Sequence, residues 1–280
     1  MTTRRGPIVV GIDGSAHLAA SVAAAIELGA RHAARRDADL RLVYGYGTPS
    51  PIRDDADTRG DAARHVLDRS IAHAAAAYPQ LSIGGAVYPG STAKMLVAAS
   101  TEAALVLVCA DARVHYGGLQ AGLVSVQVAA HTRAPVIVVA TPPSAGTAID
   151  HDVVVVGVDG SPGSTGAVAY AFAEAHARGG RVHVRYVSER RQPVDLSSAD
   201  DMLRATIAAS LRNYPDTPVR LDAVGGDNPV RGLNDAGVHA DLIVVGARGR
   251  GGFATLVLGS VSDGLVRYAR TNVAVVPAGR

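Results

Sequence analysis

Short apolar runs recur along the chain, Ile8-Val9-Val10, Leu105–Val108 and Val136–Val139, then Val153–Val156, Leu242–Val245 and Val273–Val276, with the more alternating Leu40–Tyr44 and Val182–Tyr186 between them. Each is short, rich in β-branched residues and bounded by polar or turn residues, the signature of a buried strand. Between them lie helical rhythms. In the segment Asp61–Tyr78, Ala63, Val66, Leu67, Ser70, Ile71 and Ala74 share one face. Met202, Leu203, Thr206, Ile207, Ser210 and Leu211 repeat that stripe further on, at the period of a helix packed on a sheet. Both helices are expected to stop at Tyr-Pro, Tyr78-Pro79 and Tyr214-Pro215, because proline restricts the residue before it and cannot continue a helix. Strands alternating with helices predict an α/β fold with a five-stranded parallel sheet, helices on both faces and right-handed crossovers.

The pattern occurs twice. Gly11-Ile-Asp13-Gly14-Ser15 returns as Gly157-Val-Asp159-Gly160-Ser161, 146 positions later, each after an apolar strand. The last thirds align without a gap at an offset of 137, so the second copy is shorter, mostly in its first helix and in the loop after its second strand. Two homologous domains follow, residues 1–141 and 151–280. Residues 142–150, rich in small and turn residues, are the linker. The last strand of each copy, Val136–Val139 and Val273–Val276, is apolar and falls at a sheet edge. An exposed edge of that kind invites aggregation, so the two edges are expected to pair as an intramolecular pseudo-twofold, with a further homodimer compatible.

Composition narrows the function classes. With 48% hydrophobic and 19% charged residues the chain is a globular protein. A net charge of +2, and the lack of a basic tract interleaved with aromatics, disfavour nucleic acid. No apolar run approaches a membrane span. Cys109 is the only cysteine, which excludes an internal disulfide and a cysteine metal cluster. It closes an apolar strand and reads as a small buried hydrophobe. Ten histidines are scattered without metal-ligand spacing. A cytoplasmic protein is expected.

The candidate chemistry sits after Leu242–Val245, in Gly246-Ala-Arg248-Gly249-Arg250-Gly251-Gly252, followed by Gly259-Ser260-Val261-Ser262-Asp263. Strand, glycine-rich loop, then helix start with hydroxyl and carboxylate caps suits a phosphate. Glycines admit close backbone approach, while loop amides and the helix dipole favour an anion. Arg248 and Arg250 add positive charge, though solvated loop arginines are equally common. In a parallel sheet, ligands lie outside the carboxyl strand ends at the switch point in strand order. There the Asp-Gly-Ser turn after the first strand and the loop after the fourth would meet. A Walker A loop is excluded because the only lysine is Lys94. Gly249-Arg-Gly251-Gly-Phe-Ala254 fits G-x-G-x-x-A, but it follows the fourth strand and no acidic residue lies beyond Asp263. A dinucleotide oxidoreductase is therefore disfavoured. Ser260 stands where a hydrolase elbow needs its first glycine, so a serine triad lacks its turn.

The spacing that fits is G-x2-G-x9-G-S: Gly246, Gly249, Gly259, Ser260. With the Gly-x-Asp-Gly-Ser opening of each copy, the chain resembles the universal stress protein family, ATP-binding class, in its tandem two-domain form. The resemblance implies two Rossmann-like domains of the adenine nucleotide alpha hydrolase-like type. It implies an adenine nucleotide, ATP with ADP or AMP as alternatives and Mg2+ as companion. Asp159 maps to the family's aspartate after strand one, in the motif that starts at Gly157, and Val187 to the adenine pocket. Gly246, Gly249, Gly251 and Gly252 map to the ribose and phosphate loop, and Ser260 and Ser262 to the phosphate-gripping hydroxyls, with Gly259 and Val261 completing that motif.

The first copy departs from this pattern. Gly246 becomes Cys109, Gly249 becomes Ala112, Gly251 becomes Val114 and Ser260 becomes Leu123, and the Val187 position is Gly45, while Gly11, Asp13, Gly122 and Ser125 remain. Side chains stand where a backbone should approach, so the first site is expected to be weakened or lost. Asp13 reads as a turn-former and cap; for Asp159 the nucleotide role is favoured. Ser260 and Ser262 could cap the helix and still touch phosphate, since both use the same helix end. The leading function is a regulatory nucleotide-binding protein in a stress or dormancy response. No positioned general base stands near the loop, so hydrolysis is slow or absent. The alternatives are an ATP-using adenylyl-transfer enzyme, on analogy of fold alone, and a non-nucleotide scaffold.

Overall fold

The computed structural model describes residues 6–12, 19–46, 56–110, 124–140, 152–189, 196–226, 228–249 and 258–278. The chain divides into two units, Met1–Pro142 and Pro143–Arg280, and residues 142–150, the expected linker, lie outside the described residues. The first unit runs β1 (Ile8–Ile12), α1 (Ala19–Arg36), β2 (Leu40–Gly45), α2 (Ala56–Ala77), β3 (Ile83–Tyr88), α3 (Thr92–Ala99), β4 (Leu105–Cys109), α4 (Val124–His131) and β5 (Val136–Val139). The second runs β6 (Val153–Val158), α5 (Pro162–Arg178), β7 (Arg181–Glu189), α6 (Leu196–Asn213), β8 (Val219–Gly226), α7 (Pro229–Gly237), β9 (Leu242–Gly246), α8 (Ser260–Tyr268) and β10 (Asn272–Val276). Among the described residues no helix is long and apolar enough to cross a membrane.

Within the first unit the strand order is β3-β2-β1-β4-β5, and within the second β8-β7-β6-β9-β10, all pairs parallel. Central strands explain the apolar runs. All five residues of β1 and all five of β4 are buried, as required of parallel strands covered on both faces. The helix stripes carry polar members because each is satisfied locally. Ser70 Oγ donates to the Val66 carbonyl and Thr206 Oγ1 to the Met202 carbonyl, both at 2.8 Å. Along α6 the buried line is Ala199, Leu203, Ile207 and Ser210, and Leu211, expected on the same face, is exposed at the rim of the last turn. The Tyr-Pro stops are where the sequence puts them: Tyr78 and Tyr214 donate to the carbonyls of Ala74 and Ser210 as the last helical bonds. Helix α5 begins with Pro162 at its first turn and ends on Gly179 at φ 69°, a left-handed residue that suits glycine.

The register creates the functional feature. Strands β6 and β7 stay paired through Val158↔Tyr186, and β9 and β10 through Gly246↔Val276. Strands β6 and β9 pair only from Val154↔Leu242 to Val156↔Val244. Beyond Val156 the two central strands part, and the crossovers leave in opposite directions, opening a crevice at the switch point.

On β7 and β8, His183, Arg185 and Arg220 converge on Asp222. His183 Nε2 lies 2.7 Å from Asp222 Oδ2, Arg220 Nη2 3.0 Å and Arg185 Nη1 3.5 Å. Burial pushes the His183 imidazole below its ordinary value, outweighing the attraction of Asp222. Burial would raise the Asp222 carboxyl, but hydrogen bonds from Arg220 and His183 hold it below the usual range. The fold therefore favours neutral His183. Its contribution to stability is full above the unfolded value of about 6.5 and is lost as pH falls from there through the lower folded value. That of Asp222 is lost only on further acidification, below about 3.8. Between about pH 7 and 5.5, urea midpoints are expected to fall, and His183→Gln is expected to flatten this slope. An unchanged slope would assign it elsewhere.

Candidate functional site

Strand β9 ends at Gly246, and the chain beyond it returns on itself. Ala247 N–H donates to the Val276 carbonyl and Gly259 N–H to the Ala247 carbonyl, both at 2.8 Å, so the loop leaves and re-enters at one place. Helix α8 starts immediately after, with Gly259 as N-cap at φ −70°, ψ 154° and no side-chain cap. The capping role expected of the serines is therefore not what they do. Ser260 is the exposed first residue of the helix, at the end where unpaired amides and the dipole collect. Ser262 is buried, and its hydroxyl donates to the Gly246 carbonyl at 2.7 Å. That bond ties the helix start to the strand end.

The turn after β6 faces this loop. Asp159 Oδ1 accepts from Ser161 N–H at 2.9 Å and from the Ser164 hydroxyl at 2.6 Å, while Asp159 N–H donates to Ser164 Oγ at 3.0 Å. A Cβ built on Gly249 would collide with Asp159 Oδ2, so the loop glycine lies directly against that carboxylate. Gly163, in the first turn of α5, is as close: a Cβ there would meet the Arg248 carbonyl oxygen at 2.5 Å, and one on Gly246 the Gly163 carbonyl oxygen at 2.9 Å. Two backbones meet with no side chain between them, and the N-termini of α5 and α8 open on the same crevice.

The structure thus brings together Asp159, Gly246, Gly249, Gly259, Ser260 and Ser262. Arg248 is exposed at the rim and Val261 is half-buried in the first turn of α8. Two expected site residues are engaged in packing. Gly157 makes room for α7, since a Cβ there would meet Leu233 Cδ1 at 2.8 Å and Val245 Cγ1 at 3.2 Å. Val187, at the carboxyl end of β7, is buried, and a Cβ on Gly232 would meet its side chain at 2.9 Å. Arg250, Gly251 and Gly252 lie outside the described residues. The sequence reading missed Ser161, Ser164, Gly163 and Gly232; the available signal was a second serine three residues beyond Asp-Gly-Ser. Among the described residues no three His, Cys, Asp or Glu side chains stand together to hold a metal.

In the first unit the corresponding place is built differently. Thr92 Oγ1 donates to the Gly45 carbonyl at 3.0 Å, and a Cβ on Gly45 would meet Thr92 Oγ1 at 2.6 Å and its Cα at 2.8 Å. The first turn of α3 sits on the end of β2, where the second unit carries Val187. Cys109 closes β4, buried. Gly11 packs under Leu96, as Gly157 does under Leu233, and Ser125 is buried like Ser262. Asp13, Ala112, Val114, Gly122 and Leu123 lie outside the described residues.

The universal stress protein family matches residues 5–140 and again residues 151–277. The chain belongs to that family. A universal stress protein of Mycobacterium tuberculosis is 30% identical over 291 residues, spanning 96% of this chain and 95% of its own. A second from the same organism is 31% identical over 293 residues, covering 96% of each. The crystal structure of a universal stress protein from Archaeoglobus fulgidus superposes with a TM-score of 0.77 at 18% identity, covering 99% of this chain and 98% of that one, a likeness of fold. Two tandem copies of the universal stress protein domain therefore make up the chain.

In the second copy the Ser262 hydroxyl is the strut between helix and strand. Ser262→Ala is expected to cost about 1–2 kcal/mol, because it leaves the half-buried Gly246 carbonyl without this donor. Chemical denaturation checks it; a change within about 0.5 kcal/mol would remove the strut from the account.

Proposed function

We propose that the second unit binds an adenine nucleotide, ATP in the first instance, in the crevice between β6 and β9, and that occupancy regulates the protein's conformation or choice of partner. One observation carries the reading: Gly249 and Gly163 bring the loop and the α5 turn into backbone contact around Asp159, at the end of β6 and beside the α8 N-terminus. Amides and helix dipoles suit phosphates there. Mg2+ fits as a companion of the phosphates, since among the described residues no three His, Cys, Asp or Glu side chains stand together to cage it. The described residues around Asp159 offer hydrogen bonds and no positioned base for an attacking water, so the role is binding with slow or no hydrolysis. The setting is cytoplasmic.

The first unit is proposed not to bind. Gly45 under Thr92 leaves no room for a side chain at the position that corresponds to the base-lining Val187. Purified full-length protein is expected to carry or take up one adenine nucleotide per chain. Gly246→Val and Gly249→Ala are expected to weaken ATP at least about tenfold. Equilibrium binding with quantified stoichiometry tests this. No binding by wild type, or no effect of either substitution, rejects the reading in favour of a scaffold; turnover dependent on an acceptor substrate favours an adenylyl-transfer enzyme.

The last strands are proposed to pair with each other, because each is apolar and closes one end of its own unit's strand order. Deleting Val273–Arg280 is expected to leave the first unit insoluble or dimeric by light scattering. A well-behaved monomer would reject the pairing.

A further inference from the structure

We propose that Ser164 is a positioning residue: its hydroxyl, locked in a two-way hydrogen bond with Asp159, turns one oxygen of that carboxylate toward the glycine loop to accept from a ribose hydroxyl. The proposal rests on the nucleotide reading and adds how the sugar is recognised.

The hydrogen-bond inventory fixes the direction of each bond. Asp159 N–H can only donate, so Ser164 Oγ accepts from it at 3.0 Å. The hydroxyl's single proton then goes to Asp159 Oδ1, 2.6 Å away, a short bond of the charge-assisted kind. Oδ1 also takes Ser161 N–H at 2.9 Å. With two donors on Oδ1 and Ser164 only 4% exposed, the carboxylate has one orientation, and that orientation places Oδ2 against Gly249.

A carboxylate in this place repels phosphate and attracts a hydroxyl or an amine. The topology orders the ligand. Val187 lies at the end of β7, Asp159 at the end of β6, and the α8 N-terminus beyond the end of β9, in the order β7-β6-β9. With the base at β7 and phosphates at α8, the sugar falls at β6, where its hydroxyls are the donors within reach. The first unit carries a different residue at the Ser164 position. The buried stripe of α1 keeps the spacing of α5, Ala25, Ala30 and Ala33 matching Ala167, Phe172 and Ala175, and puts Val22 at the Ser164 position. Valine cannot hold an aspartate. The serine belongs to the copy with the intact loop.

The test compares dissociation constants of ATP, 2′-deoxy-ATP, 3′-deoxy-ATP and adenosine for the full-length chain, by calorimetry, in wild type, Ser164→Ala and Asp159→Asn. Wild type is expected to prefer ATP over at least one deoxy analogue by about tenfold or more, the scale of a hydrogen bond to a charged acceptor. Ser164→Ala is expected to keep ATP binding while that preference collapses to under about threefold, as in Asp159→Asn. The ratio of ATP to adenosine affinity, which reads the phosphates, stays unchanged in Ser164→Ala. Should Ser164→Ala melt before binding is measured, Ser164→Cys keeps the size with a weaker donor and is expected to fall between. ATP binding by wild type without discrimination against either deoxy analogue overturns the proposal and leaves the nucleotide reading standing. Full discrimination in the serine variants also overturns it. Absence of ATP binding in wild type defeats the nucleotide reading itself.

Discussion

Parting of the two central strands after Val156↔Val244 is the constraint on which the second unit's site depends. Parallel strands that stayed paired to their carboxyl ends would leave no gap for a ligand. Strands that part must have their exposed ends closed by something else. Here the closure is backbone on backbone, Gly163 against Arg248 and Gly246 against Gly163, and the Ser262 hydroxyl, bonded to the Gly246 carbonyl, anchors the returning helix. Glycine is required at these contacts for lack of room rather than for a special dihedral angle. Among the described residues the glycines with positive φ are Gly90, Gly160 and Gly179, and of these only Gly160 is near the crevice.

Duplication lets the two units be read against each other. Features that serve packing survive in both: Gly11 under Leu96 and Gly157 under Leu233, the buried Ser125 and Ser262, the helix stops before Pro79 and Pro215. Features that serve the crevice differ together. Cys109 replaces Gly246, Val22 stands at Ser164, and Gly45 under Thr92 replaces Val187 under Gly232. The first change removes a backbone approach, the second a hydroxyl, and the third changes which helix turn packs on the end of the second strand.

Much of the fold was legible in the sequence because the strands are buried on both faces, so continuous apolar runs mark them directly. The repeat then reinforced every weak element with a second instance. The candidate site was legible as a location for the same reason, since strand ends and loops follow from strand order. Its internal geometry was less so. Ser262 reads as a cap or phosphate ligand from its place at a helix start, but its hydroxyl lies beside a strand carbonyl that only the folded chain brings near. Gly157 reads as part of a ligand motif, although its lack of a side chain is required by Leu233, far along the chain. Leu211 continues a stripe on paper, but the stripe is narrower than the pattern suggests.

The missed serines show why local pattern and local chemistry diverge. Ser161 is the N-cap of α5, and a capping serine ordinarily accepts from an amide of the first turn, yet its side chain makes no cap bond. Asp159 takes over instead: it accepts the Ser161 amide and the Ser164 hydroxyl. A cap made by the preceding aspartate holds an ionised group at a helix N-terminus, where the dipole favours negative charge. The same bonds that finish the helix therefore keep the carboxylate fixed at the mouth of the crevice. Helix capping and ligand recognition draw on one residue, which makes an aspartate there stable before any ligand arrives and leaves little reorganisation for binding to cost. Without Ser164 the cap could still form through Ser161 N–H, but the carboxylate would be free to turn. At the corresponding helix position the first unit carries Val22, which has no hydroxyl to supply that restraint.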